Sequence, residues 1–412
     1  MQVLFIHQGF PAQFASHASG LLAEGHCVHA IGTTGSHSVV DGCEVHLYEG
    51  PDPLQLSDSV CDPVLECNLI RAARVAERAE ALKASGLNPE VVVFHSAWGE
   101  GLYLRDIWPE AVLIAYPELY GQAELLDIDD PDAPPVTQTQ LRFLRRNNLM
   151  ALAALADSDA AFTPTLYQRS TFPSAWRSRI QVIHEGVNSR YSRPDSERRI
   201  RLNDGLILNC DDMVLTFVSR SLEPLRGYCR FMRALPYLFR NHPRLQVVIV
   251  GGDGTSYSPP CLNPGGYTAA MREELGEHLD WNRLHIMGVI KHEQLVALLQ
   301  VSTVHAYLSY PYILSWSLIE AMACGAVVVA SNTEPVREVI RDGENGLLVS
   351  LNNPARIAER ISEVLRNPQE HQRLGVAARQ TVLERFRHDQ GMQSFQQWIN
   401  SLVLLKKARR RP

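Results

Sequence analysis

Two arginines and a glycine follow an apolar run in the second half of the chain, where a strand would give way to a helix. The run Val214–Val218 precedes Arg220 and the pair Arg226-Gly227, and a helical pattern starts directly afterwards. A guanidinium is a planar, permanent cation that matches phosphate oxygens, and a helix N-terminus adds positive potential. The stretch therefore predicts a diphosphate clamp. The alternative is that both arginines are surface residues that pair with Glu223 or other acids.

A second polar turn follows the run Val304–Leu308 and leads through Pro311 and Ser315 into another predicted helix. This helix is expected to start near Ser317, with Glu320 in its first turn. N–H groups in a first helical turn have no partner within the helix and can bind an anion. The Glu320 carboxylate can accept hydrogen bonds from a sugar diol, as acids do for nucleotide ribose. It can equally complement the helix dipole or complete a capping box, and the pattern leaves both interpretations open.

Parallel strands would bring these turns together, and the hydrophobic pattern predicts such strands. Short β-branched runs alternate with helical patterns from Val3–Ile6 to Gln181–Ile183, and the alternation restarts at Val214–Val218 and continues to Gly346–Val349. This order is typical of α/β domains with parallel sheets. We expect two Rossmann-like domains that face a cleft, with ligands outside the carboxyl ends of the strands.

The polar, charged stretch between the two alternations suggests the domain boundaries. We predict a first domain over residues 1–190, a linker over 191–212 and a second domain over 213–385. Residues 386–412 are predicted to form a C-terminal helix that packs back on the first domain and ends in a basic tail. That tail, Lys406–Arg411, can contact an anionic membrane or simply be a solvated helix end.

Composition narrows the class of protein. The 412 residues are 45% hydrophobic and 20% charged with a net charge of −6, which favours a globular protein and argues against nucleic-acid binding. The eight cysteines form no CxxC pair, so reduced thiols are expected. No metal site is predicted, because His26 and His29 point to opposite faces of a strand and Asp127–Asp130 is interpreted as a solvated loop. Without a signal peptide or an apolar membrane span, the protein is expected to be cytoplasmic, or at most peripheral at a membrane.

The second domain resembles the retaining glycosyltransferases of family 4, group 1, which have the GT-B fold. Four segments carry the resemblance: Arg220 with Arg226-Gly227, Leu318-Ile319-Glu320-Ala321-Met322-Ala323-Cys324-Gly325, Pro335-Val336-Arg337-Glu338-Val339-Ile340 and Gly343-Glu344-Asn345-Gly346-Leu347-Leu348-Val349. The first domain matches more loosely, through Phe5-Ile6-His7-Gln8-Gly9-Phe10-Pro11 and His184-Glu185-Gly186-Val187. The family usually has a glutamate where this chain has Tyr312, so the sequence looks like a variant branch.

The resemblance implies transfer of a sugar from a UDP- or GDP-linked donor to a sugar, lipid-linked or small-molecule acceptor. No metal or other cofactor is implied, and the departing phosphate oxygen would take the acceptor proton. The first domain would bind the acceptor and the second the donor. The implied roles are neutralisation of the diphosphate by Arg220 and Arg226, and ribose binding by Glu320. The backbone N–H groups of Ser315, Trp316 and Ser317 would add hydrogen bonds to the diphosphate. Gly227 would also belong to the donor site.

Three residues after predicted strands of the first domain complete the candidate site. Gly9 lets backbone approach a ligand closely, and the resemblance strengthens this interpretation. His95 can bond a sugar hydroxyl or a developing charge, or be a structural or helix-capping histidine. Glu118 is an acceptor-side candidate.

Two alternative functions share this cationic site. One is a phosphorylase of the same fold that uses inorganic phosphate. The other is a non-catalytic protein that binds a sugar nucleotide, which Tyr312 motivates.

Overall fold

A computed structural model describes residues 1–35, 40–52, 62–125 and 136–409. Contacts divide the described chain into two units. The first contains the described residues up to Gly186 together with the C-terminal segment from His388, and the second contains Val187–Arg387. The predicted acidic loop Asp127–Asp130 lies outside the described residues.

The first unit is built on one seven-stranded parallel sheet in the order β3-β2-β1-β4-β5-β6-β7. Helices cover both faces, so the central strands are buried on both sides and read as continuous apolar runs. Its elements up to the end of the sheet are β1 (Gln2–Ile6), α1 (Ala15–Ala23), β2 (Cys27–Thr33), β3 (Glu44–Tyr48), α2 (Pro63–Ala84), β4 (Val91–His95), α3 (Leu104–Ile107), β5 (Val112–Tyr116), α4 (Gln138–Asp157), β6 (Ala160–Thr163), α5 (Leu166–Thr171), α6 (Ser174–Arg177) and β7 (Ile180–Val182).

The second unit contains a six-stranded parallel sheet in the order β12-β11-β10-β13-β14-β15, and a separate antiparallel pair β8-β9. Two buried clusters lie on the two faces of the large sheet. Its elements are β8 (Arg199–Arg201), β9 (Ile207–Asn209), β10 (Val214–Ser221), α7 (Tyr228–Asn241), β11 (Gln246–Gly252), α8 (Gly266–Leu275), β12 (Leu284–Ile286), α9 (His292–Gln300), β13 (Val304–Tyr307), α10 (Trp316–Ala323), β14 (Val327–Ser331), α11 (Glu334–Arg337), β15 (Leu347–Val349), α12 (Pro354–Arg366) and α13 (Pro368–Arg385). The predicted two Rossmann-like parallel sheets are confirmed.

Each sheet reverses its strand order at one point. In the first sheet β1 pairs with β2 on one side and with β4 on the other, and in the second β10 lies between β11 and β13. In open α/β sheets the crevice at such a reversal, outside the carboxyl ends of the strands, is where ligands bind. The loops after β1, β4, β10 and β13 are therefore the first places to look for a site.

The chain between the two sheets packs as part of the second unit. Residues 191–212, which the sequence suggested as a linker, include β8 and β9, and their side chains Ile200, Leu202 and Leu208 are buried in that unit's core. Burial of these three apolar residues within a charged stretch explains why the segment is ordered structure rather than a tether.

A last helix, α14 (His388–Ala408), returns to the first unit. Its residues Phe395 and Ile399 are fully buried in the cluster that also contains residues of β1. Near its end Lys406 and Lys407 donate to Asp159 and Glu90 at 2.8 and 2.9 Å. The membrane contact suggested for this tail stays a prediction. No helix in the described ranges is both long and apolar enough to cross a bilayer.

Candidate functional site

The loop after β10 packs directly on the end of β13. Gly227 has φ of +75°, and a Cβ there would lie 1.8 Å from the carbonyl oxygen of Leu308. Only glycine adopts this backbone conformation readily and leaves room for that contact. Gly227 therefore holds the loop that carries Arg226, and that begins just after Arg220 at the end of β10, against the loop that leads to α10.

Arg226 is held by two aromatic rings rather than by an acid. Its guanidinium lies 5.5 Å from the ring centroid of Tyr257 and 5.3 Å from that of Tyr312. Its Nε is buried with no hydrogen-bond partner among the described residues. Burial of an unpaired polar group costs free energy unless a ligand completes it. The guanidinium is thus fixed in position with hydrogen-bonding capacity unused.

Arg220 is the penultimate residue of β10, and its exposed side chain makes no ion pair with any described residue. Glu223, the acid suggested as its alternative partner, is fully buried. Its Oε2 accepts the backbone N–H groups of Ser256, Tyr257 and Ser258 at 2.9, 3.1 and 3.0 Å. Glu223 therefore fixes the loop that carries Tyr257, and its charge is not available to neutralise the two arginines.

Tyr312 packs against an aromatic ring and a guanidinium. Its ring centroid lies 4.5 Å from that of Tyr257, and the two rings flank Arg226. A tyrosine at this position can contact a sugar or pack beside Trp316, whose side chain is exposed. The observed packing partners are Tyr257 and Arg226. A ring at this position stabilises the guanidinium by a cation–π contact without neutralising its charge.

We predict that Tyr312→Phe keeps both stability and donor turnover, because the ring that contacts Arg226 remains. Tyr312→Ala should lower the free energy of unfolding by about 1–3 kcal/mol and also lower turnover, because Arg226 loses one of its two rings. Tyr312→Glu should lower turnover, since it sets a carboxylate against the guanidinium. Urea unfolding and initial rates test this, with Tyr237→Ala on exposed α7 surface as control. A gain of activity in Tyr312→Glu would sink this interpretation.

The N-terminus of α10 is capped by its own residues. The Ser315 side chain accepts the N–H of Ser317 at 3.3 Å, and the N–H of Ser315 donates to the Tyr307 hydroxyl at 3.0 Å. Two of the three N–H groups proposed for a diphosphate therefore already have partners. A ligand would exchange with these bonds rather than fill unsatisfied donors.

Glu320 is the fifth residue of α10, one residue further along than predicted, and it does not cap the helix. It is largely buried, and its Oε1 lies 2.5 Å from Nε2 of His292 at the start of α9. The hydrogen bond to Glu320 is the main cause that raises the pKa of His292 above its usual value. The His292 ring stacks on Tyr191 with centroids 5.7 Å apart. His292 and Tyr191 orient the carboxylate, and sequence reasoning missed both.

The first unit presents two histidines at its own strand-order reversal. His7 follows β1, His95 ends β4, and their rings meet edge to face with centroids 5.3 Å apart. The His7 Nδ1 accepts the N–H of exposed Gly9 at 2.9 Å, and burial lowers the pKa of His7 to about 3. A Cβ at Gly9 would meet nothing closer than 3.6 Å. Gly9 is thus on the correct loop, but crowding within the chain does not require a glycine there.

The two ring nitrogens of His95 have different surroundings, one suited to a structural role and the other to a functional role. Its Nδ1 accepts the N–H of Ala97 at 3.2 Å, which assigns the proton of the neutral ring to Nε2. That Nε2 is buried without a hydrogen-bond partner, and the nearest acid, Glu118, is 3.7 Å away. Glu118 follows β5, and its side chain is mostly covered. A donor N–H and a carboxylate therefore point at the same space outside the strand ends of the first sheet.

A buried charged layer that the sequence did not reveal lies close to these histidines. Arg71 of α2 donates to Asn68 Oδ1 at 2.8 Å and to the Trp98 carbonyl at 2.9 Å. The Tyr48 hydroxyl donates to Glu100 Oε1 at 3.4 Å. Burial raises the pKa of Glu100 from 4.5 to about 8, although Arg71 and Tyr48 act in the opposite direction. Glu100 is thus protonated over much of the neutral range.

The free energy of unfolding should fall as pH rises from about 5 to 8. Between these values native Glu100 binds a proton that the unfolded chain has released, so ionisation in the folded state costs up to about 1.4 kcal/mol per pH unit. Glu100→Gln should remove this slope, and urea unfolding at several pH values measures it. The exposed Glu80→Gln is the control. Parallel pH profiles for the wild type and Glu100→Gln would contradict the assignment.

Comparison with known proteins agrees with this geometry. Residues 24–191 match the model of the glycosyl transferase family 4 group, and residues 205–381 match that of the glycosyl transferases group 1. The chain is 32% identical over 193 residues to a D-inositol 3-phosphate glycosyltransferase of Acidothermus cellulolyticus, which covers 45% of this chain and 40% of the relative. It is 28% identical over 322 residues to the enzyme of that name from Mycobacterium tuberculosis, covering 77% of this chain and 61% of the relative. The chain thus spans less than two thirds of either relative's length.

Solved structures show the same fold. Sucrose-phosphate synthase from Thermosynechococcus elongatus superposes with a TM-score of 0.75 at 18% identity, covering 98% of this chain and all of the other. Anabaena HepE in complex with UDP-glucose superposes with a TM-score of 0.69 at 17% identity, covering 97% of this chain and all of the other. Two family models match consecutive parts of the chain, and the chain forms two Rossmann-like units. The chain therefore belongs to the family 4, group 1 glycosyltransferases of the GT-B fold.

Proposed function

We propose that this protein transfers a glycosyl group from a UDP-linked sugar to an acceptor hydroxyl, with retention at the anomeric carbon. The observation that carries the proposal is the pair Arg220 and Arg226. Neither guanidinium pairs with a carboxylate of the described residues, and Arg226 is fixed with its Nε unsatisfied. Such groups suit the two phosphates of a leaving nucleoside diphosphate.

The remaining roles follow from what each side chain can donate or accept. Glu320, oriented by His292, accepts the ribose hydroxyls. The Nε2–H of His95 donates to a hydroxyl of the transferred sugar, and Glu118 accepts from the acceptor. Arg220 and Arg226 stabilise the charge that develops as the glycosidic bond breaks, and no metal is needed for that step. The departing phosphate oxygen then takes the acceptor proton.

We choose uridine as the nucleoside because of the similarity to one structural neighbour. HepE was solved with UDP and with UDP-glucose, and it shares the fold at 15–17% identity. The curated relatives are named for D-inositol 3-phosphate, so a phosphorylated polyol is the first acceptor class to test. A sugar or a lipid-linked acceptor belongs in the same panel.

A ligand screen followed by turnover tests the proposal. UDP should bind more tightly than GDP or ADP and should therefore raise the melting temperature more. A ligand at 100 times its Kd stabilises the folded state by about 2.7 kcal/mol. UDP release from UDP-sugars should then depend on an acceptor, and product NMR reports the anomeric configuration. Disaccharide plus inorganic phosphate is the phosphorylase arm. Turnover only in that arm, or no stabilisation by any nucleoside diphosphate, would overturn the proposal.

A further inference from the structure

Three side chains with metal-binding atoms converge on one face at the edge of the first sheet. The parallel register aligns His29 of β2 with Glu44 of the edge strand β3, and Ile31 with His46. Because side chains alternate along a strand, Glu44 and His46 share a face, and the register brings His29 to it. The His29 Nδ1 lies 3.3 Å from His46 Nε2 and 3.3 Å from Glu44 Oε2, and His46 Nε2 lies 3.8 Å from Glu44 Oε1.

We propose that His29, Glu44 and His46 bind a divalent transition metal of the zinc type. Zinc bonds to imidazole nitrogen and carboxylate oxygen are about 2.0–2.2 Å long, so ligand atoms of a tetrahedral site lie about 3.3–3.6 Å apart. The His29 Nδ1 lies at this spacing from His46 Nε2 and from Glu44 Oε2, both 3.3 Å away, and the other carboxylate oxygen, Oε1, lies slightly further, 3.8 Å from His46 Nε2. One carboxylate and two imidazoles form a ligand set that favours zinc or cobalt over magnesium or calcium.

The surroundings of His29 suit a ligand ring. With Nδ1 on the metal, the other nitrogen, Nε2, lies 3.3 Å from the Cys27 Sγ. Metal-binding histidines usually have such a partner on the second nitrogen, which fixes the ring's orientation. Both imidazoles are mostly buried, so their rings are held in place at the edge of the sheet. The exposed Glu44 leaves the fourth position to water.

One charge opposes the metal. The positive charge of Arg78 in α2 repels a further positive charge at His46, whereas the negative charge of Glu44 attracts one. The site therefore has one carboxylate against one guanidinium, and we expect weaker binding than at a four-ligand structural zinc site. The alternative without metal is a hydrogen-bonded cluster in which the His29 Nδ1–H is shared between Glu44 Oε2 and His46 Nε2.

This site is separate from the one proposed for sugar transfer. His29 is aligned with Leu4 of β1, within the strand, whereas His7 and His95 lie at the carboxyl ends of their strands. A metal here would fasten the edge strand β3 to β2. We expect it to affect stability and to leave turnover unchanged.

Cobalt titration of the full-length protein, stripped of metal by a chelator, tests the site. Co²⁺ should bind with one equivalent and give the visible absorption of a tetrahedral complex, and Zn²⁺ should displace it. Zn²⁺ should also raise the melting temperature. Glu44→Gln and His46→Gln should each weaken Co²⁺ binding about tenfold or more. The matched control is His26→Gln, which removes a half-buried histidine directly before β2.

Glu44→Gln decides the outcome if His46→Gln folds poorly, because Glu44 is exposed. Absence of a tetrahedral cobalt spectrum in the wild type, or equal affinity in Glu44→Gln, would overturn the proposal and leave the hydrogen-bonded cluster. Loss of binding in His26→Gln instead would assign the metal to the N-terminal amine, which lies 3.1 Å from His26. Stripping the metal should lower the melting temperature while UDP-sugar turnover persists, so this test and that of the transferase fail independently.

Discussion

Arg226→Ala is expected to lower kcat/KM for the UDP-sugar by about 10- to 150-fold, the equivalent of one charge-assisted hydrogen bond of about 1.5–3 kcal/mol. The guanidinium is fixed by Tyr257 and Tyr312 and has an unsatisfied Nε, so little is lost on ordering it around a diphosphate. Arg220→Ala should have an effect of the same order, since Arg220 is exposed at the end of β10, where the loop that carries Arg226 begins. Initial-rate kinetics and UDP titration measure both effects.

Arg226→Lys separates charge from shape. Lysine keeps the positive charge but has no planar fork to stack between two rings, so it should restore only part of the rate. The matched control is Arg240→Ala, at the exposed C-terminal end of the helix that follows Arg226. Full activity in both Arg220→Ala and Arg226→Ala, with unchanged UDP affinity, would refute the diphosphate assignment.

The positions of both arginines could be predicted from sequence because one lies at the end of a strand and the other directly after it. Alternation of apolar runs and helical patterns predicts parallel sheets, and parallel sheets position their useful side chains after strand ends. The structure confirms the two sheets and gives the strand order, which the sequence did not, with β10 beside β13. Gly227 then has a physical explanation that no pattern supplied, namely its contact with the Leu308 carbonyl.

The partners of the site residues could not be predicted from the sequence, because they are distant along the chain. The stretch Thr255–Gly266 reads as an exposed Pro/Gly/Ser-rich loop, yet Glu223 anchors its start and sets Tyr257 against Arg226. His292 precedes Glu320 by 28 positions. The edge strand β3 was also missed, because it is only five residues long and buries the polar His46 while it exposes the apolar Leu47. His26 was compared only with His29, whereas the true neighbour of His29 is His46 on the adjacent strand.

Glu320→Gln is expected to weaken binding of UDP by about 10- to 150-fold, because the ribose loses a hydrogen bond to a charged acceptor. It should leave binding of a base-only compound unchanged and the fold intact, since a glutamine oxygen can still accept from His292. Calorimetric titration with UDP and with uracil measures the difference. A loss for both ligands would indicate a general collapse of the pocket rather than ribose binding.

The His292–Glu320 pair supplies the decisive comparison. If the carboxylate serves only to fasten α9 to α10, His292→Gln and Glu320→Gln should lower the melting temperature alike and leave UDP affinity unchanged. If the carboxylate binds ribose, Glu320→Gln should lower UDP affinity far more than His292→Gln, because His292 only orients the Glu320 carboxylate. Glu293→Gln, an exposed acid beside His292, controls for the loss of negative charge near α9. Equal UDP affinities across all three variants would assign Glu320 to structure and leave Arg220 and Arg226 as the donor contacts.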